Sequence, residues 1–384
     1  MTILFWLSVA TVAYIYFGYP FLLKSRFLGG VKTWRRGYAQ PTVSFIVAAH
    51  NEESVIGAKI ENLLASDYPR ERVEILIGSD GSSDGTEEIV RRFADDGVGL
   101  ISFPQHQGKS AIQNGLVAAA SREILVFTDA DCMLPAKALP RLIENFGDER
   151  IGLVTGTPRY QNELETDVTQ NESLYLRYET WLRNQESDRG LLAMASGSLF
   201  ALRRSLWKPL DPNWSDDFAL PLQVQLAGMK TVSDSRVVPL TRLTQSLPGP
   251  MFNLKVRIVS KDFRTLLAHR KLLNPFRYGA IAVALWSHKL LRWLVPYFLL
   301  ATVGSSIFLW RSFFYRGALF LQMILYLAAL AGFLWRPYRI GFPFSIPTSF
   351  CLVNAASLLG TAKGFLRQPS GKWEPVRKQP SESR

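Results

Sequence analysis

Thr2 to Leu23 runs TILFWLSVATVAYIYFGYPFLL without a charged residue. At about 1.5 Å per residue the stretch reaches about 33 Å, enough to cross a bilayer core of about 30 Å. It has neither the basic n-region nor the small-residue cleavage site of a signal peptide, so it reads as an uncleaved anchor. Lys24, Arg26, Lys32, Arg35 and Arg36 follow with no acid among them. The positive-inside tendency then predicts that the next part of the chain is cytoplasmic.

The other end is similar. Trp293–Trp310 and Gly317–Trp335 are uncharged and joined by a turn holding Arg311 and Arg316. A weaker segment, Ile340–Thr361, is broken by Pro343 and Pro347 and diluted by Ser345, Ser349, Asn354 and Ser357. It is expected to dip into the bilayer rather than span it, which keeps the basic tail from Lys363 to Arg384 cytoplasmic. Before the spans, 255–292 carries nine basic residues and one acid, Asp262, interleaved with apolar residues. That pattern predicts amphipathic helices on the inner leaflet.

Charge separates the same regions. Tyr38–Leu254 holds 29 acidic and 20 basic residues, whereas the remaining 167 residues hold 3 acidic and 24 basic ones. Basic residues that hug apolar segments suit anionic lipid head groups; nucleic-acid binding needs them gathered on a folded domain, so no nucleic-acid partner is expected. Cys132 and Cys351 are the only cysteines, which excludes a disulfide framework or a Cys-rich zinc module.

The acidic centre alternates. Strands are predicted at Val43–Ala49, Val73–Gly78, Val98–Phe103 and Glu123–Thr128, and helices at Val55–Ser66, Thr86–Ala94, Lys109–Ala120 and Pro135–Phe146. Continuous apolar strands alternating with helices predict an α/β fold, a mostly parallel sheet covered on both faces. Ligands bind such sheets beyond the carboxyl ends of the strands, where the polar motifs fall.

After the fourth strand comes Asp129-Ala130-Asp131. In an extended segment residues i and i+2 share a side, and two carboxylates there suit a hard divalent cation that also grips a diphosphate; a solvated turn is the alternative. After the second strand, Gly78–Thr86 reads GSDGSSDGT, with Asp80 at the strand end and Asp84 and Thr86 suited to capping the next helix. His50-Asn51-Glu52-Glu53 closes the first strand; Glu53 fits a first helical turn, and His50 alone is more often structural. Asp216-Asp217 suit general-base work on a hydroxyl or a helix N-terminus. Lys109, after Gly108, opens a helix against its dipole and is expected to face an anion.

Taken together, VSFIVAAHNEE, ILIGSDGSSDGT, QGKSAIQNGL, ILVFTDADC, MASGSLFALRR and SDDFALPL resemble, in order and spacing, the membrane-bound family 2 glycosyltransferases with the GT-A fold, over roughly 42–240. SHKLLRWLVPYF and Trp373-Glu374-Pro375-Val376-Arg377 resemble bacterial exopolysaccharide members. The resemblance implies an N-terminal anchor (1–23), a basic linker (24–41), a catalytic GT-A domain (42–254), interfacial helices (255–292), a C-terminal membrane region (293–362) and a basic tail (363–384). It implies that Glu52, Asp80, Lys109 and Asp129 bind a nucleotide-sugar, that Asp129 and Asp131 hold Mg²⁺ or Mn²⁺, and that Asp217, with Asp216, is the base. Trp373 and Arg377 would approach the diphosphate.

The implied activity is inverting transfer from a nucleotide-sugar, UDP-linked by family habit, to a saccharide or lipid-linked acceptor, in the inner membrane with the catalytic domain cytoplasmic. Processive members carry Q-x-x-R-W on an interfacial helix; this chain has Arg257-Ile258-Val259-Ser260-Lys261 there, and no Trp between Trp214 and Trp286. A single addition making a glycolipid therefore stands beside polymer growth. A non-catalytic nucleotide-sugar sensor or transport protein is the reading from another class.

Overall fold

The structure, a computed structural model, describes residues 1–25, 27–29, 33–37, 40–160, 167–241, 248–334 and 344–366. Trp373 and Arg377 lie outside the described residues. The chain forms two compact units: one gathers Met1–Gly30, Glu163–Glu186 and Leu247–Gln368, and the other is built on Val31–Asn162 and Ser187–Ser246.

The chain opens with α1 (Thr2–Lys24). The second unit then carries β1 (Val43–Ala49), α2 (Ile56–Leu64), β2 (Val73–Asp80), α3 (Thr86–Arg91), β3 (Val98–Phe103), α4 (Lys109–Ala119), β4 (Ile124–Thr128), α5 (Ala138–Glu144), β5 (Ile151–Gly156) and the two-residue β6 (Arg159–Tyr160). After α6 (Asp167–Asp188) come β7 (Leu199–Arg203), α7 (Asp216–Leu226), β8 (Lys230–Asp234) and β9 (Leu240–Thr241). The main sheet has the order β3-β2-β1-β4-β7-β5-β8. β3, β2, β1 and β4 run parallel, while β7 is antiparallel to both β4 and β5.

β1 is buried along its whole length, because both faces of the sheet are covered. Val43, Phe45, Val47 and Ala49 join one core with Ile56, Ile60 and Leu63 of α2 and Leu142 of α5. Ile46 and Ala48, pointing the other way, join a second with Ile112 and Leu116 of α4 and Leu220 and Val224 of α7. Gly78 lets α4 approach β2: a Cβ there would stand 2.4 Å from Ile112.

In the other unit, three helices among the described residues are long and apolar enough to cross a membrane: α1, α9 (Ala280–Phe308) and α10 (Phe313–Leu334). Their apolar side chains stay uncovered, as at Phe17, Leu300 and Leu321. The apolar helix that contains the stretch from Trp293 starts at Ala280. His288 lies between Glu179 and Glu186 of α6, its Nε2 2.6 Å from Glu179 and its Nδ1 2.7 Å from Glu186. Arg292 pairs with Glu179 at 2.8 Å, and the Tyr19 hydroxyl donates to Glu186 at 2.6 Å.

The weaker segment forms a helix, α11 (Ser345–Phe365), which packs on α8 (Pro248–Ala268). A Cβ at Gly360 would stand 2.7 Å from Val259, so the small residue permits the approach. Thr348, Asn354, Ser357 and Thr361 are buried, and each donates to a carbonyl one turn back.

Candidate active site

β1, β2 and β4 end on one edge of the sheet, with Ala49 paired to Ser79 and Thr128 to Leu199 at the start of the antiparallel β7. His50, Asp80 and Asp129 therefore leave the sheet side by side, and the loop before β7 returns to the same edge. The Ala195 N–H in that loop donates to the Asp217 carbonyl at 2.7 Å. A Cβ on Gly197 would lie 3.5 Å from the Asp217 carboxylate, which brings the head of α7 to this edge too.

The centre is Lys109, first residue of α4. Its ammonium donates to Asp129 Oδ1 at 2.8 Å and lies 3.2 Å from Asp216 Oδ2. Burial opposes the charge of Lys109, but Asp129 and Asp216 outweigh it and hold the lysine above its usual range. The anion expected opposite Lys109 is thus, in this structure, a pair of the chain's own carboxylates. Asp216 is buried and also accepts from Gln113 at 2.7 Å. Burial alone would raise its pKa; Lys109 and Gln113 reverse that and lower it. Asp217 is more open, and the Ser215 hydroxyl donates to its carboxylate.

Asp129-Ala130-Asp131 is a turn rather than a pleated extension: β4 ends at Thr128, and the Cys132 N–H returns to the Asp129 carbonyl at 3.3 Å. The strand-period argument for two carboxylates on one side does not apply there. Burial and the neighbouring Asp129 raise the Asp131 carboxyl above its usual range, against the opposing pull of Lys59 and Lys109. Beneath the turn lies Lys59 of α2, fully buried. Its ammonium donates to Thr128 Oγ1 at 2.9 Å and to the Cys132 carbonyl. Burial pulls its pKa down to about 8, against the opposing pull of Cys132, Asp129 and Asp131. Sequence reasoning passed over Lys59. The available signal was a cation on the apolar stripe of Ile56, Ile60 and Leu63.

Asp80 is buried, and its two oxygens accept from Gln107 N at 2.6 Å and Gly108 N at 2.9 Å. It thereby fixes the two residues that precede Lys109. The His106 Nδ1 lies 2.8 Å from Asp80 Oδ2 but outside hydrogen-bond geometry. His50 donates to the Asp80 carbonyl at 2.6 Å and stacks on His106, centroids 4.2 Å apart, which gives His50 a structural role. Asn51 takes a left-handed φ of 54°, and its side-chain oxygen accepts from Ser83 N at 2.9 Å. Glu52 is buried, and its N–H donates to Thr86 Oγ1 at 2.8 Å. Asp84 accepts from Thr86 N at 3.1 Å from one residue before the helix N-cap, which is Gly85, and Glu53 accepts from Gly85 N at 2.9 Å.

Comparison with known proteins follows the same edge. Residues 44–210 match the family model for glycosyl transferase family 2. The probable glycosyltransferase YdaM of Bacillus subtilis (strain 168) is 29% identical over 237 residues, 58% of this chain and 56% of that protein; the chain thus spans about half the length of that relative. The poly-beta-1,6-N-acetyl-D-glucosamine synthase of Staphylococcus epidermidis is 24% identical over 358 residues, 86% of this chain and 85% of that one. The mannosyltransferase PcManGT from Pyrobaculum calidifontis, solved with GDP-Man and Mn²⁺, shares the fold, with a TM-score of 0.71 at 19% identity over 95% of this chain and 100% of that one. Residues 44–210 thus match a glycosyl transferase family 2 domain, and the chain has the GT-A fold.

Proposed function

We propose that the chain moves a sugar from a nucleotide-sugar, UDP-linked by family habit, to a hydroxyl of a growing exopolysaccharide or lipid-linked glycan, with inversion. The observation that carries this reading is Lys109 bridging Asp129 and Asp216 at the carboxyl edge, with Asp217 beside them. The relation to the Staphylococcus epidermidis synthase over most of both chains supports the polymer acceptor. The three apolar helices support a membrane enzyme, and the basic residues after α1 support a cytoplasmic catalytic domain.

The donor set fits a hard cation. Asp129 and Asp131 offer oxygen ligands. No cluster of three or more metal-type side chains stands ready among the described residues. Two carboxylates suffice for Mg²⁺ or Mn²⁺, which take one or two and fill the rest with substrate phosphate and water. When bound, the metal offsets negative charge on the departing diphosphate.

The chain's own residues do the rest. Lys109 carries a fixed positive charge to the same place. Asp80 holds the loop ahead of it and is proposed, with Glu52 at the end of the neighbouring strand, to bind the nucleoside. Asp217, the more open of the two acids, takes the acceptor proton, while Asp216 stays anchored to Lys109 and Gln113. Trp373 and Arg377 are proposed to reach the diphosphate from the tail.

A donor screen on purified enzyme, read as nucleoside diphosphate release with and without EDTA, tests the reading. One donor should turn over only with Mn²⁺ or Mg²⁺; full activity in chelator contradicts the metal assignment. A single addition to a lipid is the second reading, favoured by the absence of Trp between Trp214 and Trp286. A polymer ladder among the products excludes it.

A further inference from the structure

Lys59 is a buried cation that the proposed chemistry leaves without a task. A buried ammonium is costly unless satisfied, and a methionine would fill much the same space without that cost. Its bonds have a pattern. They go to Thr128 and Cys132, the residues immediately before and after Asp129-Ala130-Asp131, rather than to the two carboxylates. The ammonium thus ties together the two ends of the turn that presents both acids. Thr128 extends the link: its hydroxyl accepts from Lys59 and donates to the Ser198 carbonyl at 2.9 Å. Ser198 adjoins Gly197, which lies against Asp217.

We infer that Lys59 is a positioning residue that staples the base of the Asp129–Asp131 turn and so fixes the spread of its two carboxylates for a divalent cation. This rests on the metal reading proposed above. Without the staple, the ends of the turn are joined by the Cys132 N–H to the Asp129 carbonyl, a long bond at 3.3 Å, and by a hydrogen bond between the Cys132 and Thr128 side chains. Groups that orient metal ligands from behind typically matter to affinity about 10–100-fold.

The test uses the purified full-length protein. Mn²⁺ is titrated calorimetrically into wild type, Lys59→Met and Thr128→Val, with UDP and with GDP, and Tm is measured on the same samples. Wild type that binds no Mn²⁺ in any condition removes the metal reading itself. If wild type binds, Lys59→Met is expected to weaken Mn²⁺ by about tenfold with Tm close to wild type. Thr128→Val is expected to weaken it less, and the double variant no more than Lys59→Met alone. Affinity within twofold of wild type in both single variants overturns the inference, as does a loss that merely follows a fall in Tm. Should Lys59→Met fail to fold, the same criterion applied to Thr128→Val decides.

Discussion

Two charge clusters in this chain are built in opposite ways. In the helical unit, Glu179 and Glu186 meet His288 and Arg292, and the imidazole touches a carboxylate through each nitrogen. The side chains of His288 and Glu186 are 3% and 4% exposed. At the sheet edge, Asp129, Asp131, Asp216 and Asp217 share Lys109 and the more distant Lys59, and the Asp129 side chain is 38% exposed. In the first cluster each acid meets a base, and His288 and Glu186 at its centre are closed to water. The second has more acids than bases and is open. A closed, matched cluster holds helices together; an open, unmatched one has room for a cation and an anionic substrate.

Substitutions should separate the two. The largest effect on turnover is expected at the edge: Asp217→Asn should lower kcat by about 10²–10⁴-fold, with nucleotide affinity and Tm retained. In the helical cluster, His288→Leu should leave Glu179 and Glu186 without the imidazole and cost about 3–5 kcal/mol of stability, seen as a fall in Tm that no divalent cation restores. Restoration by Mn²⁺ there would erase the distinction. Lys109→Met sharpens it. Without the ammonium, Asp129 and Asp216 repel, so Tm should fall in chelator and recover in part when Mn²⁺ binds the folded state.

Much of this was legible in the sequence, and the misses have physical causes. Val43–Ala49 and Val98–Phe103 are strands with the expected ends, because a continuous apolar run is a local signal. β2 runs on to Asp80 since Ser79 and Asp80 pair with Ser102 and Phe103 of β3, and pairing is not local. α5 starts at Ala138 rather than Pro135, after a turn in which the Ala138 N–H returns to the Pro135 carbonyl. His288 and Arg292 hid the start of α9 because their partner acids lie about a hundred residues earlier in the chain. The site's acids were marked by their places at strand ends. Lys59 was not, since its partners Thr128 and Cys132 lie on another element.

The smallest expected effect belongs to a carboxylate outside both clusters. Arg150 beside Asp148 holds that carboxyl well below its usual range. Its folded pKa is therefore lower than the unfolded value of about 3.9, so its contribution is full above that pH and is lost as pH falls further. Asp148→Asn should flatten the acid limb of the stability curve below about pH 4 and leave kcat unchanged. An unaltered acid limb would remove Asp148 from this role.

The sheet edge as the place of transfer is tested most directly by nucleoside diphosphate release from the preferred donor, measured for wild type and Asp129→Asn across a Mn²⁺ titration. Wild type should gain activity with metal, and Asp129→Asn should lose about 10²–10³-fold while remaining folded by Tm. Equal, metal-indifferent release from both proteins would contradict the account.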